Sequence, residues 1–125
     1  MARRRILLVD DEPSLVRLLE KFLIQRGFEV DACGGSSEAL EKFTATPDIY
    51  GLLIADVNMP GIAGDELALL IAGLNDSVRI LLTSGLPFNT ERFPEGVRER
   101  AAFLQKPFLP RMIVEAVERL LASHE

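Results

Sequence analysis

Ile6-Leu7-Leu8-Val9-Asp10-Asp11-Glu12-Pro13 is the stretch on which the reading of this chain depends. Four apolar residues in an unbroken row describe a short strand covered on both faces, since a half-exposed strand would alternate. The row ends on two aspartates. Asp11, Glu12 and Pro13 then open a helix: acids suit the positive end of the helix dipole, and proline fits the first turn, where its missing N–H is not needed. Leu15, Leu18, Leu19, Phe22 and Leu23 make the apolar stripe of that helix, and Gly27 closes it.

The same alternation continues along the chain. Phe28 to Ala32 reads as a second strand, and Ser36 or Ser37 caps a helix that runs to about Phe43, with Ala39, Leu40 and Phe43 turned inward. Leu52 to Ala55 is a third apolar strand. It stops at Asp56, before the loop Val57-Asn58-Met59-Pro60-Gly61. Gly64 to Ala72 is a helix and Val78 to Leu82 a fourth strand. Pro87 and Pro94 break the stretch from Leu86 to Arg100, leaving a short, late helix around Glu95 to Arg100. Phe103-Leu104 is the core of a fifth strand, and Pro110 starts a final helix carrying Ile113, Val117, Leu120 and Leu121. Five buried strands alternating with five helices imply an α/β fold in three layers, a doubly wound parallel sheet with helices on both faces.

Composition narrows the function classes. The 125 residues fit one domain spanning 1–125, large enough to bury a core without a metal or disulfide staple. The single cysteine, Cys33, excludes an internal disulfide and reads as a small buried or half-buried thiol. A formal charge of −5 argues against direct nucleic-acid binding, and Arg3-Arg4-Arg5 reads as a solvated edge leading into the first strand. No apolar run approaches a membrane span, and the run after the arginines is too short for a secretory signal, so a cytoplasmic protein is expected. His124 lies at the very end, where chains fray, and is a poor candidate for phosphohistidine chemistry.

The chemistry lies where polar residues follow strands. Asp10 and Asp11 follow the first, Asp56 the third, Thr83 and Ser84 the fourth, and Lys106 the fifth. In a parallel sheet these positions share the carboxyl edge, where ligands of doubly wound folds bind. Three neighbouring carboxylates repel one another, and a hard divalent cation such as Mg²⁺ relieves that repulsion through oxygen ligands. The cation and Lys106 together make a place for phosphate oxygens, and Ser84 can donate a further hydrogen bond. The chain has no Gly-x-x-x-x-Gly-Lys-Ser/Thr loop, so a phosphoryl donor must come from elsewhere, and a carboxylate can accept the group as an acyl phosphate.

Ile6-Leu7-Leu8-Val9-Asp10-Asp11-Glu12-Pro13, Asp56-Val57-Asn58-Met59-Pro60-Gly61, Thr83-Ser84-Gly85 and Lys106-Pro107-Phe108, in that order, resemble the response-regulator receiver family of two-component signalling over essentially the whole chain. The resemblance implies a flavodoxin-like five-stranded sheet with strand order 2-1-3-4-5. It implies Asp56 as phosphoacceptor, and Mg²⁺ held by Asp11, Asp56 and the backbone carbonyl of Asn58, with Asp10 acting indirectly. Lys106 pairs with phosphoryl oxygens in that pattern, and the Lys106-Pro107 peptide is cis. Ser84 is the switch hydroxyl in preference to Thr83, because the family places a small residue after it and Gly85 fills that place. Phe103 matches the switch aromatic, although a strand phenylalanine also serves as plain core.

The implied partners are a histidine kinase or histidine phosphotransfer protein, and a downstream protein target or an output domain. Neither nucleic acid nor membrane is contacted directly. The implied activity is that of a switch, with at most weak self-phosphorylation and self-dephosphorylation. The chain departs from the family between Leu86 and Arg100, where a regular fourth helix is usual. Two rivals remain open at this level. A haloacid-dehalogenase-type phosphotransferase would carry an acid two residues after Asp56, where Asn58 stands. A flavin or nucleotide module would want a phosphate-cradling loop after the first strand, where the aspartates stand.

Overall fold

Residues 5–122 are described by the computed structural model; Arg3, Arg4 and His124 lie outside them. Strands β1 (Arg5–Val9), β2 (Glu29–Cys33), β3 (Tyr50–Asp56), β4 (Arg79–Ser84) and β5 (Ala101–Gln105) form one sheet in the order β2-β1-β3-β4-β5, every pair parallel. The connecting helices are α1 (Pro13–Gln25), α2 (Ser36–Ala45), α3 (Gly64–Leu74), α4 (Glu95–Arg98) and α5 (Pro110–Ala122). No helix among the described residues is long and apolar enough to cross a membrane.

The unbroken apolar rows are explained by two cores, one on each face. Ile6 and Leu8 of β1 join Leu52 and Ile54 of β3 beneath α1 and α5, with Leu19, Leu23, Ile113 and Val117. Leu7 and Val9 point the other way and join Leu53 and Ala55, with Phe43, Leu67 and Ile71 of α2 and α3. Successive strand residues face opposite sides, so a strand buried on both must be apolar at every position.

Helix ends explain several boundaries. Gly27 adopts φ 87°, its N–H donates to the carbonyl of Ile24, and the N–H of Phe28 donates to Leu23. This left-handed closure satisfies the last carbonyls of α1 and favours glycine. It also places Phe28 in the closure, so β2 runs Glu29–Cys33 and not from Phe28. Neither Ser36 nor Ser37 caps α2: Gly35 is the capping residue, without a side-chain bond, and Ser36 is buried as the first residue of the helix.

Between β4 and β5, where a regular helix was not expected, the chain forms a 3₁₀ turn at Thr90–Arg92 and the four-residue α4. The Asn89 side chain caps the turn by accepting from Glu91 N–H at 2.9 Å. Phe88 folds onto Phe93 and Phe103, with centroids 5.8 and 6.0 Å away, and the Arg92 guanidinium lies 5.5 Å from the Phe88 ring. Aromatic packing thus stands in for the helical hydrogen bonds that the prolines forbid.

Candidate functional site

Sheet register brings the polar residues together. Val9 pairs with Ala55, so Asp10 and Asp56 are level at the ends of adjacent strands. Ser84 pairs with Gln105, and the N–H of Lys106 donates to the Ser84 carbonyl at 2.8 Å, which brings Lys106 to the same edge. Its side chain then reaches over β4: Lys106 Nζ donates to Asp56 Oδ2 at 3.1 Å and to Asp10 Oδ2 at 3.0 Å. The Lys106-Pro107 peptide is cis.

Carboxylate oxygens of Asp10, Asp11 and Asp56 all lie within 4.8 Å of one another. Asp10 and Asp56 are buried, at 3% and 7% exposure, whereas Asp11 is exposed. The buried pair is oriented by backbone: Asp10 Oδ1 accepts from Glu12 N–H at 2.9 Å, and Asp56 Oδ1 accepts from Asn58 N–H at 3.0 Å. Burial pushes the Asp10 carboxyl above its ordinary value of 3.8, more strongly than the Glu12 N–H and Lys106 pull it down. For Lys106, burial alone would lower the ammonium, but its hydrogen bonds to Asp10 and Asp56 outweigh that and raise it.

One ammonium thus bonds the two enclosed acids, and the exposed Asp11 lies beside that pair. This donor set, all hard oxygen and held at an open edge by the exposed Asp11, suits Mg²⁺, which accepts one or two carboxylates and keeps waters.

Ser84 is 1% exposed and Thr83 2%. The Ser84 hydroxyl oxygen accepts from Asn58 Nδ2 at 2.7 Å and from Leu86 N–H at 3.0 Å. The Thr83 carbonyl accepts from Val57 N–H at 2.8 Å, which ties the loop after Asp56 to β4. Phe103, half-buried on β5, packs against Phe88. Cys33 is buried at the end of β2, and burial pushes its thiol up to about 11, which fits an inert packing residue.

Two contributions were not read from the sequence. The side chain of Asn58 reaches Ser84, a contact between sequence-distant loops that no local spacing announces. Gly64, the first residue of α3, packs against the backbone of Asp56 and Val57. A glycine opening an apolar helix is the only signal it leaves, and that signal is weak.

Comparisons with known proteins bear on the family and the fold. A family model described as the response regulator receiver domain matches residues 6–118. Regulatory protein VanRB of Enterococcus faecalis is 34% identical over 117 residues, 94% of this chain and 52% of that protein. Response regulator receiver protein CpdR of Brucella abortus is 29% identical over 120 residues, covering 96% of this chain and 98% of its own. Among solved structures, the receiver domain of the hybrid histidine kinase CckA superposes with a TM-score of 0.79 at 31% identity, over 94% of this chain and 98% of that one. The chain spans only about half of VanRB, so what those longer relatives do as wholes is not carried over. With the fold, strand order and matched length in accord, the chain belongs to the response regulator receiver domain family, the phosphoacceptor signalling module of two-component regulators.

Proposed function

We propose that Asp56 takes a phosphoryl group from the phosphohistidine of a histidine kinase or phosphotransfer protein, in a Mg²⁺-dependent reaction. The observation that carries this reading is the position of Lys106 Nζ, 3.0 Å from Asp10 and 3.1 Å from Asp56, beside the exposed Asp11. In the transfer, the phosphorus–nitrogen bond breaks and a bond from phosphorus to an Asp56 carboxylate oxygen forms; the imidazole keeps the electron pair and takes up a proton. Lys106 supplies a cation for the transferring oxygens, a largely electrostatic contribution.

Asp11, Asp56 and the carbonyl of Asn58 would hold the metal directly and Asp10 indirectly. When bound, Mg²⁺ offsets the charge that the acids and the phosphoryl oxygens bring together. Asp11 suits a direct ligand because it is exposed at the open edge, while Asp10 is committed to Glu12 N–H and Lys106. Ser84 and Phe103 relay the state of Asp56 to a protein target or output domain, in a cytoplasmic setting. The chain acts as a switch with at most weak self-phosphorylation and self-dephosphorylation. Asn58 in place of a second acid disfavours a dehalogenase-type enzyme, which needs a general acid/base there.

Incubation with a small acyl-phosphate donor tests the reading by mass. Wild type should gain one base-labile phosphoryl group only with Mg²⁺, Asp56→Asn should gain none, and phosphate esters should not turn over. Stoichiometric, base-labile label on Asp56→Asn would overturn the assignment. Titration of Mg²⁺ should show a larger loss of affinity in Asp11→Asn than in Asp10→Asn; equal losses would refute the direct and indirect roles.

A further inference from the structure

Asn58 makes a contact that phosphoryl transfer does not use. Its backbone N–H is bound to Asp56 Oδ1 at 3.0 Å, and its carboxamide Nδ2 donates to Ser84 Oγ at 2.7 Å. The same Ser84 oxygen accepts from Leu86 N–H at 3.0 Å. A hydroxyl has two acceptor positions and one donor, so both acceptor positions of Ser84 are filled and its O–H remains the free donor. Ser84 is also 1% exposed, so water does not compete for these bonds. A continuous hydrogen-bonded path therefore runs Asp56, Asn58, Ser84, Leu86. Beyond Leu86 the strap of residues 86–93 carries Phe88, packed on Phe93 and Phe103 with Arg92 at its ring.

We infer that the Asn58 carboxamide is a positioning latch, which holds the Ser84 hydroxyl, and through Leu86 the 86–93 strap, in the resting arrangement until Asp56 is phosphorylated. The inference rests on the reading of Asp56 as phosphoacceptor and concerns how that site reaches the strap. Asparagine suits the role chemically. An aspartate could only accept and would add a fourth carboxylate to the cluster, whereas the amide donates to the Ser84 oxygen.

The direction of release follows from bond strengths. The latch is a neutral hydrogen bond. A phosphoryl oxygen offers Ser84 O–H a charged acceptor, and such bonds are about twice as strong as neutral ones. Phosphorylation also changes the Asp56 oxygens that orient the Asn58 backbone, so the latch loses its anchor while the free Ser84 O–H is drawn toward the phosphoryl group. Ser84 then leaves Nδ2, and the Leu86 N–H that shared its oxygen is freed with it.

Amide exchange on the unphosphorylated full chain tests the latch. In Asn58→Ala, exchange at Leu86 N–H and across residues 88–93 should rise about fivefold, the scale of one neutral hydrogen bond, with α1 unchanged. In a Ser84→Ala background the same substitution should add nothing, because Asn58 acts through that hydroxyl. An unchanged Leu86 amide, an equal rise in the Ser84→Ala background, or a uniform rise over the whole chain would each overturn the latch.

A second measurement leaves Asn58 intact. Its side-chain amide protons should be protected in the wild type and lose protection in Ser84→Ala; equal exchange in the two would also overturn it. Mass measurement after acyl-phosphate treatment separates the two readings. An unlabelled Asp56 would overturn the phosphoacceptor role and the trigger with it, whereas a labelled Asp56 with an unprotected Asn58 amide would overturn the latch alone.

Discussion

Gly64 lies against the backbone of Asp56 with no space for a side chain. A Cβ at that position would stand 2.7 Å from the Asp56 carbonyl carbon and 2.9 Å from Val57 Cα, and closer still to the Asp56 carbonyl oxygen. The N–H of Gly64 donates to the Val57 carbonyl at 3.0 Å, so the start of α3 is fastened to the loop that carries the site. The obstacle is backbone, which cannot rotate away as a flexible side chain would.

Gly64→Ala should therefore cost about 1–3 kcal/mol of stability, the usual scale of overpacking, and should slow labelling of Asp56 by displacing it. Gly73, exposed on the same helix with nothing within 4 Å of its would-be Cβ, is the matched control. Gly73→Ala should stabilise by about 0.5–1 kcal/mol through lower chain entropy. Urea unfolding of both variants checks the opposite signs.

Asp10→Asn should raise the melting temperature of the metal-free chain at neutral pH. Burial holds the Asp10 carboxyl above 3.8 in the folded state, so folding favours its proton. Below the unfolded value both states are protonated and the group contributes nothing. As pH rises above 3.8 the unfolded chain releases the proton first, and stability falls until the folded carboxyl is also ionised. The advantage of Asp10→Asn over wild type should thus be larger at neutral pH than near pH 4, measured by thermal melts in chelator.

Arg100 fastens the break between β4 and β5. It is buried, and its guanidinium donates to the carbonyls of Gly96 at 2.9 Å, Val78 at 2.8 Å and Asn75 at 3.3 Å. Arg100→Ala should cost about 2–3 kcal/mol, since bonds from a charged donor are worth more than neutral ones and three carbonyls lose a partner. Arg100→Lys should recover only part of this, because a single ammonium cannot span the fork. Denaturant midpoints for the two variants give the comparison.

Phosphorylation should change amide exchange most in residues 84–104 and little in α1 and α2. The strap after Ser84 has few helical hydrogen bonds, and segments of that kind open at low free energy. Ser84→Ala should still label at Asp56 while the change in 84–104 shrinks. Exchange measured with and without acyl phosphate decides it; a largest change elsewhere, or one that survives Ser84→Ala, would refute the switch.

The sequence by itself determined the layers, the succession of strands and helices, and the family. Those depend on local signals: unbroken apolar rows for strands buried on both faces, proline and glycine at the ends of α1, and acids at the carboxyl ends of β1 and β3. It also placed the break in residues 86–100, because prolines act on their own backbone. What it left open depends on contacts between distant segments. Gly35, not Ser36 or Ser37, caps α2, because Ser36 is drawn into the packed interior. Only the packed structure showed that Asn58 meets Ser84, that Gly64 meets Asp56, and that Arg100 bridges α4 to the carbonyls of Asn75 and Val78. Each of these joins residues whose separation along the chain carries no period, so sheet register and close packing alone decide which pairs touch.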